Sequence, residues 1–171
     1  MFSALAGEIK LPLPRSLSCT SVFFVTAQTF EKRFYLQSER MSRLLLQVIL
    51  NYHEKNEYLL HEFVIMPNHL HLLLTPMQTL ERAMQCIKGG FSYRVKRELN
   101  FPHTFWQTSF YDRRVRDAKE YQQFRKYIYF NPVKKRLYVT PEQWKWSSAN
   151  GRFVLDEVPQ RLKPDVRVGD H

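Results

Sequence analysis

The chain has 171 residues, 44% apolar and 15% aromatic, with 26 Lys and Arg against 16 Asp and Glu for a net charge of +10. That length suits one domain around one core, and no run of about 18 apolar residues is present to span a membrane. Cys19 and Cys86 form neither a CxxC pair nor a disulfide framework, and residues 1–18 lack the apolar stretch of a signal peptide, so the sequence reads as cytoplasmic.

Residues 1–18 carry Pro12 and Pro14, show no hydrophobic period and read as a loose arm. The β-branched and aromatic run TSVFFVTAQ (20–28) predicts a strand. Ser38 is placed to cap a helix whose Met41, Leu44, Leu45, Val48, Ile49 and Tyr52 share one face. LLHEFVIM (59–66) and HLLLT (71–75) read as a hairpin turned at Pro67 and Asn68, with the second strand starting near Asn68. Thr79 is expected to cap a helix carrying Leu80, Met84, Ile87, Phe91 and Val95 at helical spacing. Gly89 and Gly90 interrupt that helix, as a bend or a close backbone approach would require.

SFYDRRV (109–115) predicts a short strand. Asp117 and Glu120 have capping-box spacing for a helix running to about Phe130. Pro132 is expected to end it, since a residue before proline avoids the α region. The order strand, helix, strand, strand, helix, strand predicts an α+β, ferredoxin-like split βαβ fold: an antiparallel sheet with two helices on one face. The additional C-terminal helix is then free to cover the other face. The expected division is an arm (1–18), a domain (19–150) and a tail (151–171).

The charge is uneven. Residues 81–150 hold 15 basic side chains against 6 acidic ones, and the rest of the chain is nearly balanced. A concentrated excess predicts a positive surface suited to a phosphate backbone. Its candidates are Lys88, Arg94, Lys96 and Arg97 on the second long helix, Arg113, Arg114 and Arg116 around the fourth strand, and Lys134, Lys135 and Arg136 after the last helix. Each can neutralise a phosphate without reading sequence; a solvated basic face is the plain alternative. Trp106, Trp144 and Trp146 are read as packing residues before base-stacking ones.

His69 and His71 lie one strand repeat apart, so both point to one face and Leu70 to the other. Two such imidazoles make a two-point metal grip with positions left open for substrate. Half-buried strand histidines of no special role fit the same spacing. Position 73 is Leu, so any further ligand comes from elsewhere. In the last helix Tyr121, Phe124 and Ile128 form the core stripe, with Tyr127 on its flank and Asn131 one turn beyond Tyr127. A tyrosine oxygen can attack a phosphodiester and keep the DNA end covalently bound. With a phenol pKa of about 10 it needs help to lose its proton. A tyrosine beside a core stripe is more often a packing residue.

Four segments occur in order: MPNHLHLLL (66–74), FWQTSFYDRRV (105–115), YIYFNPVKKRL (127–137) and WKWSS (144–148). Together they resemble the REP-associated tyrosine transposases, a branch of the single-tyrosine HUH transposases with an IS200-like domain, over roughly residues 20–150. The resemblance implies that His69, His71 and Asn131 hold a divalent metal, Mg²⁺ or Mn²⁺, and that Tyr127 is the nucleophile. It implies cutting of single-stranded DNA near a palindromic hairpin through a 5′-phosphotyrosine link, release of a 3′-hydroxyl and later rejoining, by a monomer or homodimer. The arm departs from the family, being rich in proline and basic only at Lys10 and Arg15, and Gly89-Gly90 falls where a continuous basic helix is expected. Two competing readings are a hairpin-DNA-binding regulatory module without cleavage and an unrelated HxH metal hydrolase, whose activity would not need Tyr127.

Overall fold

The computed structural model describes residues 21–165; the proposed arm, Cys19 and the last six residues of the tail lie outside them. Four strands form one antiparallel sheet: β1 (Phe23–Gln28), β2 (Tyr58–Met66), β3 (His69–Pro76) and β4 (Tyr111–Arg114), in the order β2-β3-β1-β4. This is the split βαβ topology expected from the element order. Helix α1 (Glu39–Glu54) packs on one face with a second helical rod, made of α2 (Leu80–Met84), a π-helical turn (Gln85–Gly89) and α3 (Gly90–Leu99). Helix α4 (Ala118–Lys134) covers the other face. Among the described residues no helix is long and apolar enough to cross a membrane.

The two faces of the sheet build two cores. Val25, Ala27, Leu70, Leu72 and Leu74 meet Leu45, Ile49, Ile87 and Phe91 on the α1 side. Phe24, Val64, Met66 and Leu73 meet Tyr121 and Ile128 of α4 on the other. Strand alternation therefore settles which side chains reach α4. A β-bulge between Leu60 and Glu62 shifts the register of β2 on β3. Before it, Tyr58 and Leu60 face the larger core; after it, Phe63 and Ile65 do, which turns Glu62 toward α4 with Val64 and Met66.

Several local expectations need correction. Ser38 occupies the N-cap of α1, but its hydroxyl makes no capping bond. Thr79 and Asp117 do cap, accepting from the Arg82 and Glu120 amides at 3.1 and 2.8 Å. The reciprocal arm of the box is displaced, because the Glu120 carboxylate takes the Arg116 amide at 2.8 Å. Gly89 and Gly90 do not break their helix; it widens into the π turn and continues. Gly90 marks a close approach, since a Cβ there would lie 2.6 Å from the Tyr52 ring.

Pro132 does not end α4. Helical hydrogen bonding resumes after it, with Lys135 N on the Asn131 carbonyl at 3.1 Å. The stop comes at Arg136, which takes a left-handed φ of 57°. There the Leu137 amide bonds the Pro132 carbonyl and the Arg136 amide the Val133 carbonyl, each at 2.9 Å. This is a Schellman closure with arginine where glycine is usual. The fourth strand is also shorter than expected, at four residues.

Beyond α4 the chain returns along the edge of β2. Ile65 N donates to the Trp146 carbonyl at 2.8 Å, and Asp156 N to the Leu60 carbonyl at 2.9 Å. Asp156 also accepts from Leu60 N and meets His53 Nε2 at 2.6 Å. That edge of the sheet is thereby covered.

Candidate active site

His69 and His71 project from β3 toward α4, with ring centroids 4.6 Å apart. Each has its Nδ1 occupied. His69 Nδ1 lies 2.6 Å from Asn68 Oδ1, and His71 Nδ1 lies 2.8 Å from the hydroxyl of Thr26, its cross-strand partner. Such contacts fix ring orientation and leave Nε2 as the remaining ligand atom, as metal-binding imidazoles require. His71 Nε2 is buried with no hydrogen-bond partner.

Burial holds both rings neutral near pH 7. His69 is pushed down to about 4, first by desolvation and then by Lys135, while the Asn131 side chain acts in the opposite sense. His71 is driven well below the usual histidine value by burial and by His69. Neutral imidazoles are the form that ligates a metal.

Helix α4 brings the other two candidates to the same place. The Tyr127 ring stands edge-on to His71, with centroids 5.1 Å apart, and also meets Phe24. It is 40% exposed, so its phenol is open to a ligand from solvent. Asn131, one turn on, is buried, and its Oδ1 has no partner. Two orphaned buried polar atoms, His71 Nε2 and Asn131 Oδ1, beside His69 form a donor set of two nitrogens and one oxygen that fits a divalent cation. Among the described residues no cluster of three or more His, Cys, Asp or Glu is placed to do so. His69, His71 and Tyr127 border a cleft of about 1090 Å³ lined also by Phe24, Gln28, Lys32, Phe34, Tyr111, Gln123 and Lys135, while Asn131 lies buried on the same helix as Tyr127.

What holds α4 in this register is a buried carboxylate. Glu62 Oε1 accepts from Arg125 Nε at 2.8 Å and from the Tyr129 hydroxyl at 3.2 Å, two residues on either side of Tyr127. Its Oε2 accepts from Ser148 Oγ at 2.6 Å. Removing it leaves a partly buried guanidinium and the Tyr129 hydroxyl without their acceptor, while Ser148 Oγ keeps the Phe63 carbonyl at 3.1 Å, so Glu62→Ala should lower stability by about 2 kcal/mol in urea unfolding. The only outward signal of this residue is a lone carboxylate inside an apolar strand run.

A profile of the family described as "Transposase IS200 like" matches residues 22–131, from the residue before β1 to Asn131. The chain belongs to the IS200-like transposase family. It is 23% identical over 145 residues to a REP-associated tyrosine transposase of Escherichia coli strain K12, covering 78% of this chain and 82% of that protein. Among solved structures it resembles a REP-associated tyrosine transposase bound to a REP hairpin, with a TM-score of 0.65 and 21% identity over 89% of this chain and 92% of that one. A putative transposase from Deinococcus radiodurans matches with a TM-score of 0.50 and 20% identity, over 69% and 95% of the two chains. At these identities both structures speak to the fold.

On this IS200-like scaffold the basic candidates fall into separate settings. Lys135 lines the cleft, and Lys134 Nζ lies 5.5 Å from the centre of the Tyr127 ring. Arg136 is exposed at the helix end. Arg113 and Arg116 both pair with Glu120, at 2.8 and 3.3 Å, and Arg114 stands on β4 beside them. Lys88 bonds three carbonyls, of Gln107, Thr108 and Ser109, at 2.7 to 3.3 Å. Arg94, Lys96 and Arg97 sit on α3, across the sheet from the histidines, with Arg94 paired to Glu98 and Arg97 bonded to the Tyr93 hydroxyl. Trp106 is buried in the core, and Trp144 donates Nε1 to the Ile65 carbonyl at 2.9 Å.

The histidines carry a pH signature. The unfolded chain protonates His69 near 6.5, the folded one only at about 4. The unfolded state therefore binds more protons between these values, and stability falls as pH drops through that window. Urea midpoints of the metal-free protein should reveal a loss on the order of 3 kcal/mol from this residue between pH 7 and 4. His71 and His61, shifted the same way by burial, add to it.

Proposed function

We propose that this IS200-like transposase nicks and rejoins single-stranded DNA beside palindromic hairpins, with Tyr127 as nucleophile and His69, His71 and Asn131 as metal ligands. The observation that carries this reading is the edge-on contact of Tyr127 with His71 at the floor of one cleft. Tyr127 and His71 meet within one chain, which supports a reaction in cis. The likeness to a transposase bound to a REP hairpin supports a hairpin beside the cut as the substrate feature.

In the first step the Tyr127 oxygen attacks the scissile phosphorus. The bond to the 3′ oxygen breaks and a 5′-phosphotyrosine forms; the phenol proton passes to solvent at the exposed edge of the ring, and the leaving 3′ oxygen takes a proton from solvent to become a 3′-hydroxyl. A bound Mg²⁺ or Mn²⁺ would supply Lewis-acid polarisation of the phosphate. Lys134, whose Nζ lies 5.5 Å from the centre of the Tyr127 ring, is placed to neutralise a phosphate brought to that ring. Attack by a 3′-hydroxyl on the phosphotyrosine restores the phosphodiester and frees Tyr127, so no outside energy source is needed. Asn68 and Thr26 hold the imidazoles, and the Glu62 clamp holds the helix, so the reacting groups are oriented before DNA arrives.

The test uses end-labelled single-stranded oligonucleotides carrying the palindromes that flank the gene, with Mn²⁺ or Mg²⁺. Denaturing gels should reveal a covalent protein–DNA adduct that disappears with a chelator. Tight hairpin binding without cleavage under either metal would replace this reading with the regulatory module.

A further inference from the structure

Two large rings stand in solvent at the mouth of the same cleft. Phe34 is 64% exposed and Tyr111 is 58% exposed. They reach it from different elements, Phe34 from the loop after β1 and Tyr111 from the start of β4, where it pairs with Thr26. A single exposed phenylalanine is ordinary. The loop that carries this one is not. Glu31 and Lys32 are consecutive left-handed residues, with φ of 52° and 54°, a backbone that side chains bearing a Cβ disfavour.

That conformation is pinned from three sides. The Thr29 hydroxyl lies 2.6 Å from the Arg33 carbonyl and 3.0 Å from that of Asn68. Phe30 N donates to the Phe105 carbonyl at 2.8 Å, and Leu36 N to that of Pro67 at 2.9 Å. The loop is thus tied to the turn that leads directly into His69. Unfavourable backbone kept in place by its surroundings clusters at ligand sites. What this loop presents is a ring and a cation, since Lys32 lines the cleft with Phe34, and Lys135 lines it too.

We propose that Phe34 and Tyr111 form a base-stacking subsite for the unpaired nucleotides that flank the phosphate offered to Tyr127. The proposal rests on the single-strand reading above. Every base has a π face, so such rings grip a strand without selecting its sequence. In a duplex those faces are already stacked, so the subsite favours an unpaired strand. Lys32 and Lys135 supply the charge to neutralise the adjoining phosphates. Phe24 and Phe124 cannot take this part, because they stack on each other at 4.3 Å inside the site.

The probes are an oligo-dT of about 12 nucleotides and an abasic strand with the same number of phosphates. Tyr127→Phe serves as the parent protein, since it binds without covalent capture, and fluorescence anisotropy gives Kd. The parent should prefer oligo-dT. Adding Phe34→Ala should weaken oligo-dT binding about tenfold or more and leave the abasic strand unchanged, and Phe34→Trp should restore it. Tyr111→Ala added to Phe34→Ala should bring oligo-dT down to the abasic level. Unchanged oligo-dT binding in Phe34→Ala, or an equal loss on both strands, overturns the subsite. A parent that binds both strands equally sinks the subsite alone; a parent that binds neither sinks the single-strand reading and the subsite with it.

Discussion

Tyr127→Phe should abolish the covalent protein–DNA adduct and lower strand cleavage by roughly 10⁴-fold or more, while thermal stability stays within about 0.5 kcal/mol of the parent. The two halves of this expectation come from one geometry. The ring of Tyr127 makes the packing contacts, edge-on to His71 and Phe24 and under Lys134. Phenylalanine keeps all three. The hydroxyl is the group removed, and a carbon ring has nothing with which to attack phosphorus. The other tyrosines of the same helix do not offer a substitute. Tyr121 is buried in the core, and Tyr129 is committed to Glu62 and Arg125; burial pushes both phenols up, away from ionisation. Cleavage that survives Tyr127→Phe would instead point to a water nucleophile and the metal-hydrolase reading. Quantified adduct bands and urea melts on the same preparation separate these outcomes.

The parts of the site that follow from backbone periodicity were legible in the sequence. Alternation along HLHLLLT is enough to place His69 and His71 together and Leu70 opposite, and the 3.6-residue repeat places Asn131 above Tyr127. What periodicity does not carry is the bulge in β2. Strict alternation through LLHEFVIM would group Leu60, Glu62 and Val64 on one face, whereas the register shift parts Leu60 from the other two. The residue that clamps α4 was hidden for that reason. Pro132 misled differently: its rule concerns the residue before it, but Asn131 and Pro132 are both buried in the fold, and that burial overrides a local preference.

The basic residues mark another limit. A run of cations in sequence does not say which of them a fold will use for itself. Lys88 is spent on three carbonyls of the segment leading to β4, and Arg113 and Arg116 converge on one carboxylate. Those pairings depend on residues brought together by the tertiary fold. Conversely, Phe34 carries no motif and no periodic signal, and only the pinned loop beneath it singles it out.

The second large effect is expected at the histidine pair, and it is best read as a change in the response to metal. Mn²⁺ at about 100 times its Kd should stabilise the parent by about 2.7 kcal/mol, which for a chain of this size is a rise in Tm of roughly 5–10 °C. His69→Ala/His71→Ala should lose that increment and metal-dependent cleavage together. The absolute Tm is a poor measure, because His71→Ala also strips the Thr26 hydroxyl of its partner and opens space beside Phe24. It removes an acid-labile burial at the same time, so the variant should tolerate pH 5 better relative to its own pH 7 value than the parent does. The metal increment is free of both effects. Asn131→Ala, which leaves two imidazoles in place, should retain part of it. Equal increments in parent and double variant would place the cation elsewhere and leave the buried, unpartnered Nε2 of His71 without an explanation.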